Sequence, residues 1–168
     1  AFTELLERSD RLKIASGYIS ADALIDLKSI IEANSGPYLE LNIGMHYFEG
    51  LTKQQKEAVE DLDNTLRSNN LGGVYFVVTF PFHGKIISFK NQDRTIGGLI
   101  GSSNLTNIVE NKTGRQYEVD YRLPESDCSE LEDFITRLRE TTTRPFNELD
   151  VKVVESKNNL LDEQYGVD

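Results

Sequence analysis

Residues 82–107, FHGKIISFKNQDRTIGGLIGSSNLTN, place His83, one of only two histidines in the chain, two positions before Lys85 and a short hairpin ahead of Ser102 and Asn104. Side chains alternate along a strand, so His83 and Lys85 are predicted to share a face. Ser102 and Asn104 stand in the same relation at the end of the partner strand TIGGLIGSSN. The hairpin would gather an imidazole, an ammonium, a hydroxyl and a carboxamide at one end of a sheet. Such a group suits a phosphate ester. Lys85 supplies a point charge to non-bridging oxygens, Ser102 and Asn104 supply neutral donors, and Gly97, Gly98 and Gly101 let the backbone come close. His83 is then free to act as nucleophile or proton donor. A lone histidine beside apolar residues is more often structural; the company it keeps here favours the chemical reading.

The elements that must position these residues follow from periodicity. RLKIASGYIS (11–20) is predicted as a strand ending in a Gly-Tyr turn. Ser20 then caps a helix that carries Ala23, Leu24, Leu27, Ile30 and Ile31 at helical spacing until NSGP stops it at 34–37. YLELNIGM alternates as a second strand. Thr52 caps a second helix with Ala58, Val59, Leu62 and Leu66 on one face, closing at NNLGG, and EAVEDLD within it reads as a solvated face. GVYFVVTF is a strand by its β-branched and aromatic content. GKIISFK and TIGGLIGS flank the turn-like NQD as a hairpin, RQYEVDYRL alternates as a further strand, and CSELEDFITRLRET is a helix with Leu131, Phe134, Ile135 and Leu138 inward. This order predicts an α/β fold, a mixed sheet with helices on both faces.

The chain has 168 residues, enough for one domain, expected over 1–150. Residues 151–168 are polar and irregular and read as a tail or linker. With no Met at its start and no closing element at its end, the sequence reads as a piece of a longer chain. The single cysteine and the absence of a long apolar run predict a cytoplasmic protein with no membrane association, in which the sequons at 104 and 111 carry no meaning. A net charge of −10 argues at face value against a nucleic-acid partner. Its distribution argues otherwise. Residues 81–115 hold Lys85, Lys90, Arg94, Lys112 and Arg115 against Asp93 and Glu110, a local balance of +3, and the rest of the chain carries −13.

HGK at 83–85 followed by GSSN at 101–104 resembles the H-x-K…G-S-x-N signature of the phospholipase D superfamily, which hydrolyses phosphodiesters through a phosphohistidine without metal or cofactor. The resemblance implies a nucleophilic role for His83, phosphate binding by Lys85 and Asn104, and an accompanying hydroxyl in Ser102. Glu118 resembles the carboxylate that orients the histidine ring, a role that fixes the tautomer leaving the other nitrogen free to attack. Gly101 and Ser103 would line the substrate site. The chain departs from the pattern at position 90, where many members carry Asp five residues after the lysine and this chain carries Lys90. GYIS, IGMHYFEGLT and the longer hairpin make residues 8–145 most similar to restriction endonucleases of the NgoFVII and BfiI type. Those enzymes join such a domain to a separate DNA-recognition domain, which here would lie beyond Asp168. The resemblance therefore implies double-stranded DNA as substrate.

One motif per chain has a chemical consequence. The reaction needs one imidazole to attack phosphorus and a second to protonate the leaving oxygen and later activate water. A homodimer with the site on its two-fold axis supplies both, and its histidines titrate as a coupled pair with a bell-shaped pH–rate profile. Other signals are weaker. His46 could approach the substrate or be a loop histidine. Arg94, Lys112 and Arg115 could contact DNA phosphates or serve solubility. Glu155-Ser-Lys157 fits a metal-nuclease motif but has only Asp150 near it, and no metal site is expected. The rival readings are a phosphodiesterase of lipids or nucleotide adducts and a non-catalytic interaction module.

Overall fold

Two β-α-β units build the centre of the computed structural model, which describes residues 2–101 and 120–155. After a short helix α1 (Phe2–Glu7), strand β1 (Arg11–Ser16) leads through α2 (Ala21–Asn34) to β2 (Tyr38–Ile43). From there the chain runs through the one-turn α3 (His46–Glu49) and α4 (Lys53–Ser68) to β3 (Gly72–Val77). The three strands are adjacent and parallel. Crossovers that step in one direction place their helices on one face, and α2 and α4 pack together there. Both helices start where the sequence predicts. The Ser20 side chain accepts from Ala23 N, and Thr52 forms a reciprocal capping box with Gln55, arrangements worth about 1 kcal/mol each.

The hairpin of β4 (Lys85–Asn91) and β5 (Arg94–Gly101) pairs antiparallel with β1, and β6 (Asp120–Arg122) lies outside it. Helix α5 (Cys128–Thr142) and β7 (Thr143–Pro145) follow, giving a seven-stranded mixed sheet in the order β6-β5-β4-β1-β2-β3-β7. Gln92 and Asp93 both take positive φ at the hairpin turn, the geometry that matches strand twist.

One face of the sheet carries Leu12, Ile14, Leu39, Leu41, Ile87 and Phe89 against α2 and α4, with Phe2 of α1 edge-on to Phe89 at 5.9 Å. On the other face Leu131, Ile135 and Leu138 of α5 cover Ala15, Val77 and Ile86. The predicted class, a mixed sheet with helices on both faces, is therefore the observed one.

Several details differ from expectation. Phe134 sits at the rim of α5, and Glu132 takes the buried place beside it. Its carboxylate lies 2.7 Å from Lys13 Nζ and 3.6 Å from Lys90 Nζ and accepts from Ser88 Oγ at 2.5 Å. Position 90 thus forms an ion pair with α5. Gly97 and Gly98 serve packing, because a Cβ would stand 2.6 Å from Leu5 Cδ2 at the first and 2.8 Å from Leu131 Cδ2 at the second. Asp63, expected in a solvated face, is buried and accepts from Val74 N and Arg67 Nε at 2.9 Å each. The chain past residue 150 begins inside the fold: Val151 is 2% exposed, and Lys152 and Val154 bond the backbone of Leu51 on both sides.

Candidate active site

The carboxyl ends of β1 and β2, the start of β4 and the end of β5 all lie at one edge of the sheet. In open α/β sheets that edge is the usual ligand site. Past the last ladder residues the backbones stay knitted together. Gly44 N donates to Ser16 O at 2.9 Å, Met45 N to Gly17 O at 3.0 Å, Gly17 N to Gly84 O at 3.0 Å, and Phe82 N to Gly44 O at 3.1 Å. Residues 82–84 are therefore tied to both parallel strands before β4 begins.

Two glycines permit that approach. A Cβ at Gly44 would stand 2.0 Å from Phe82 O, and one at Gly17 would stand 3.1 Å from both Cα and Cδ2 of His83. His83 itself precedes the strand and is exposed, while Lys85 is the first residue of β4 and half-buried. Alternation places Lys85 on the face of Ile87 and Phe89. The register pairs Ile86 with Ile100, so Lys85 and Gly101, the next residue on each strand, close the same end of the hairpin.

The ring of Tyr18 packs against two imidazoles. It meets His83 at a centroid distance of 5.5 Å and 77°, and His46 at 5.5 Å and 86°. Its hydroxyl donates to Glu49 Oε1 at 2.9 Å. Burial, then the hydrogen bond and charge of Glu49, raise the phenol to about 12, so it stays protonated at any ordinary pH. The backbone of Ile19 is held on both sides, its N–H by His46 Nε2 at 3.3 Å and its C=O by Gln55 Nε2 at 3.2 Å.

His46 is placed beneath this loop, not in the open. It is 3% exposed, Nε2 accepts from Ile19 N, and Nδ1 lies 2.9 Å from Gly50 O. Those partners require the neutral tautomer with the proton on Nδ1. Burial lowers its pKa, offset in part by the Gly50 bond and the Glu49 charge. Both ring nitrogens are occupied by backbone, so the geometry gives His46 a structural place.

Arg94 is not brought to this edge. It stands at the hairpin turn, the opposite end of β4 and β5, about 20 Å away by strand rise, in an ion pair with Glu125. Ser102, Ser103, Asn104, Lys112, Arg115 and Glu118 lie outside the described residues. Among the described residues, no three His, Cys, Asp or Glu side chains converge to hold a metal ion, and no helix is long and apolar enough to cross a membrane. Gly17, Tyr18, Gly44, Glu49 and Gln55 were not assigned to the site from sequence. The only signal they left was the pair of stretches GYIS and GMHYFEG.

Comparison with known proteins follows the same lines. The model of the NgoFVII restriction endonuclease N-terminal PLD domain matches residues 1–152. Among solved structures the fold is similar to NucT from Helicobacter pylori, with a TM-score of 0.58 and 13% identity over 86% of this chain and 87% of that one. No curated protein sequence matches.

Proposed function

The chain belongs to the family of NgoFVII restriction endonuclease N-terminal PLD domains, and from that premise we propose that it hydrolyses DNA phosphodiesters without metal, through a phosphohistidine on His83. The observation that carries this reading is the placement of His83. An exposed imidazole stands at the carboxyl edge of the parallel strands, two residues before Lys85, on a segment whose flanking residues Phe82 and Gly84 are backbone-bonded to both strands. Neutral imidazole nitrogen attacks phosphorus, the P–O bond to the departing nucleotide breaks, and a second imidazolium gives its proton to that oxygen. Water then attacks phosphorus, the P–N bond breaks, and the second imidazole takes up the proton. Acid–base assistance of this kind is worth about 10²–10⁴ in rate.

In this reading Lys85 and Asn104 balance charge on the non-bridging oxygens, Ser102 adds a hydroxyl, Gly101 and Ser103 line the substrate, and Glu118 fixes the ring tautomer. Lys112 and Arg115 contact backbone phosphates of double-stranded DNA. The second imidazole is the His83 of another copy, in a homodimer with the site on its two-fold axis. Exposed aromatic surface next to the site supports that assembly. Phe80 is 59% exposed three residues before His83, and Phe82 rests on the half-exposed Phe134 at 6.3 Å. DNA recognition belongs to a separate domain joined through the chain beyond Val154, which accommodates the acidic charge of this one.

The same aromatic surface is the one observation that favours a second reading, a phosphodiesterase working at a lipid interface. Plasmid cleavage in excess EDTA, with wild type beside His83→Ala, tests the proposal. Metal-free cleavage by the wild type alone is the expected result. Cleavage of a phospholipid but no DNA would favour the second reading, and a requirement for Mg²⁺ would overturn the mechanism.

A further inference from the structure

His83 lies on a segment outside any strand, where its backbone is fixed but its side chain retains two torsions. A nucleophile in that setting needs something to hold the plane of its ring. The imidazole lies over Gly17, where a Cβ would stand 3.1 Å from its Cδ2, and against the ring of Tyr18. The near-perpendicular arrangement at 5.5 Å is a preferred geometry for aromatic pairs.

Tyr18 is itself unusually well fixed. Glu49 holds its hydroxyl, the His46 ring packs near-perpendicular to it, and the next peptide is clamped by His46 and Gln55. These contacts fix the tyrosine ring. It makes a rigid wall on one side of the imidazole.

We propose that Tyr18 is a positioning residue for His83, its braced ring holding the imidazole in the orientation from which a ring nitrogen meets phosphorus. The inference rests on the reading of His83 as nucleophile. It is separate from the role given to Glu118, since a hydrogen-bonded carboxylate selects the tautomer and a packed ring selects the plane. Positioning of this kind acts on kcat, because a misaligned nucleophile binds substrate normally and reacts seldom.

The test uses the whole chain with Tyr18→Leu, which removes the ring, and Tyr18→Phe, which keeps it. With supercoiled plasmid as substrate, Tyr18→Leu is expected to lower kcat roughly tenfold with KM little changed, and Tyr18→Phe to stay within about threefold of wild type. With only two histidines in the chain, the imidazole proton signals can be assigned through a His46→Gln variant. The His83 signals should move in Tyr18→Leu and stay in place in Tyr18→Phe. In the wild type, proton cross-relaxation between the Tyr18 and His83 rings should be seen directly. That measurement decides the contact even if Tyr18→Leu does not fold. A folded Tyr18→Leu with wild-type kcat, or a wild type without ring-to-ring cross-relaxation, overturns the inference. A wild type that shows the contact but cleaves no DNA contradicts the nuclease reading and leaves the packing of the two rings established.

Discussion

His83 lies so close over Gly17 that a Cβ at position 17 would stand 3.1 Å from two of its atoms. The atoms that would have to yield include backbone, His83 Cα and, at 3.2 Å, Phe82 O, in a segment tied to both parallel strands. Any adjustment moves His83, the proposed nucleophile. Gly17→Ala is therefore expected to lower cleavage about 10- to 100-fold, more than its overpacking cost of about 1–3 kcal/mol in stability would do to a chain that stays folded. Thermal melts and turnover on the same preparation check this, and equal loss of both would mean that Gly17 serves folding alone.

Neutral His46 makes stability depend on pH. Its pKa is lowered in the folded chain by burial, so below the ordinary histidine value of 6.5 the unfolded chain binds more protons than the folded one. The stability it contributes is complete above pH 6.5 and is lost as the pH falls through the lowered folded value. Urea unfolding at pH 7.5 and 5.0 should show this fall in the wild type and a smaller one in His46→Gln, which keeps a neutral polar side chain. An identical fall in both proteins would contradict the assignment of His46 as a buried neutral group.

Glu132 holds α5 to the sheet. Burial raises its carboxyl and is outweighed by the hydrogen bonds from Lys13 and Ser88 and by the charges of Lys13 and Lys90, so its pKa is lowered. Its contribution to stability is present above about pH 4.5 and disappears as the pH falls through the lowered value. Lys90→Asp, which restores the residue many superfamily members carry there, would put a second carboxylate beside Glu132. It is expected to destabilise the chain by about 2–4 kcal/mol in chemical denaturation, whereas a neutral or stabilising outcome would show that the pairing is incidental.

A site shared between two copies has a signature in mixing. Wild type and His83→Ala equilibrated in equal amounts should retain roughly a quarter of the wild-type rate, since only wild-type pairs carry both imidazoles. The rate should also be bell-shaped in pH, because one imidazole must be neutral while the other is protonated. Independent sites would retain about half, and a single titration limb would speak against the pair.

What was legible in the sequence was what local rules determine. Ser20 and Thr52 mark helix starts by side-chain to backbone bonds within one turn, and both were read correctly, Gln55 completing the capping box at the second. Helix α1 and strand β7 were missed because six and three residues carry too little periodicity to register. The polar inward residues of β1, β2 and β4 were not read as one network, since Lys13, Glu40, Ser88 and Lys90 are satisfied by Glu132 and Arg139, which arrive from a helix far along the chain. The roles proposed for His83 and Lys85 rest on a motif visible in the sequence. The support of the two residues was not visible there, because the closeness of Gly17 and the bracing of Tyr18 exist only once three separate stretches meet at the sheet edge.

The central claim is that an imidazole nitrogen of His83 bonds to phosphorus during cleavage. It is tested most directly by mixing the protein in EDTA with DNA carrying labelled phosphate, quenching in alkali, where phosphohistidine survives, and separating the protein under denaturing conditions. Label is expected on the wild-type protein, lost on mild acid treatment, and none on His83→Ala. Equal label on the mutant, or cleavage by the wild type with no labelled protein at any time point, would contradict it.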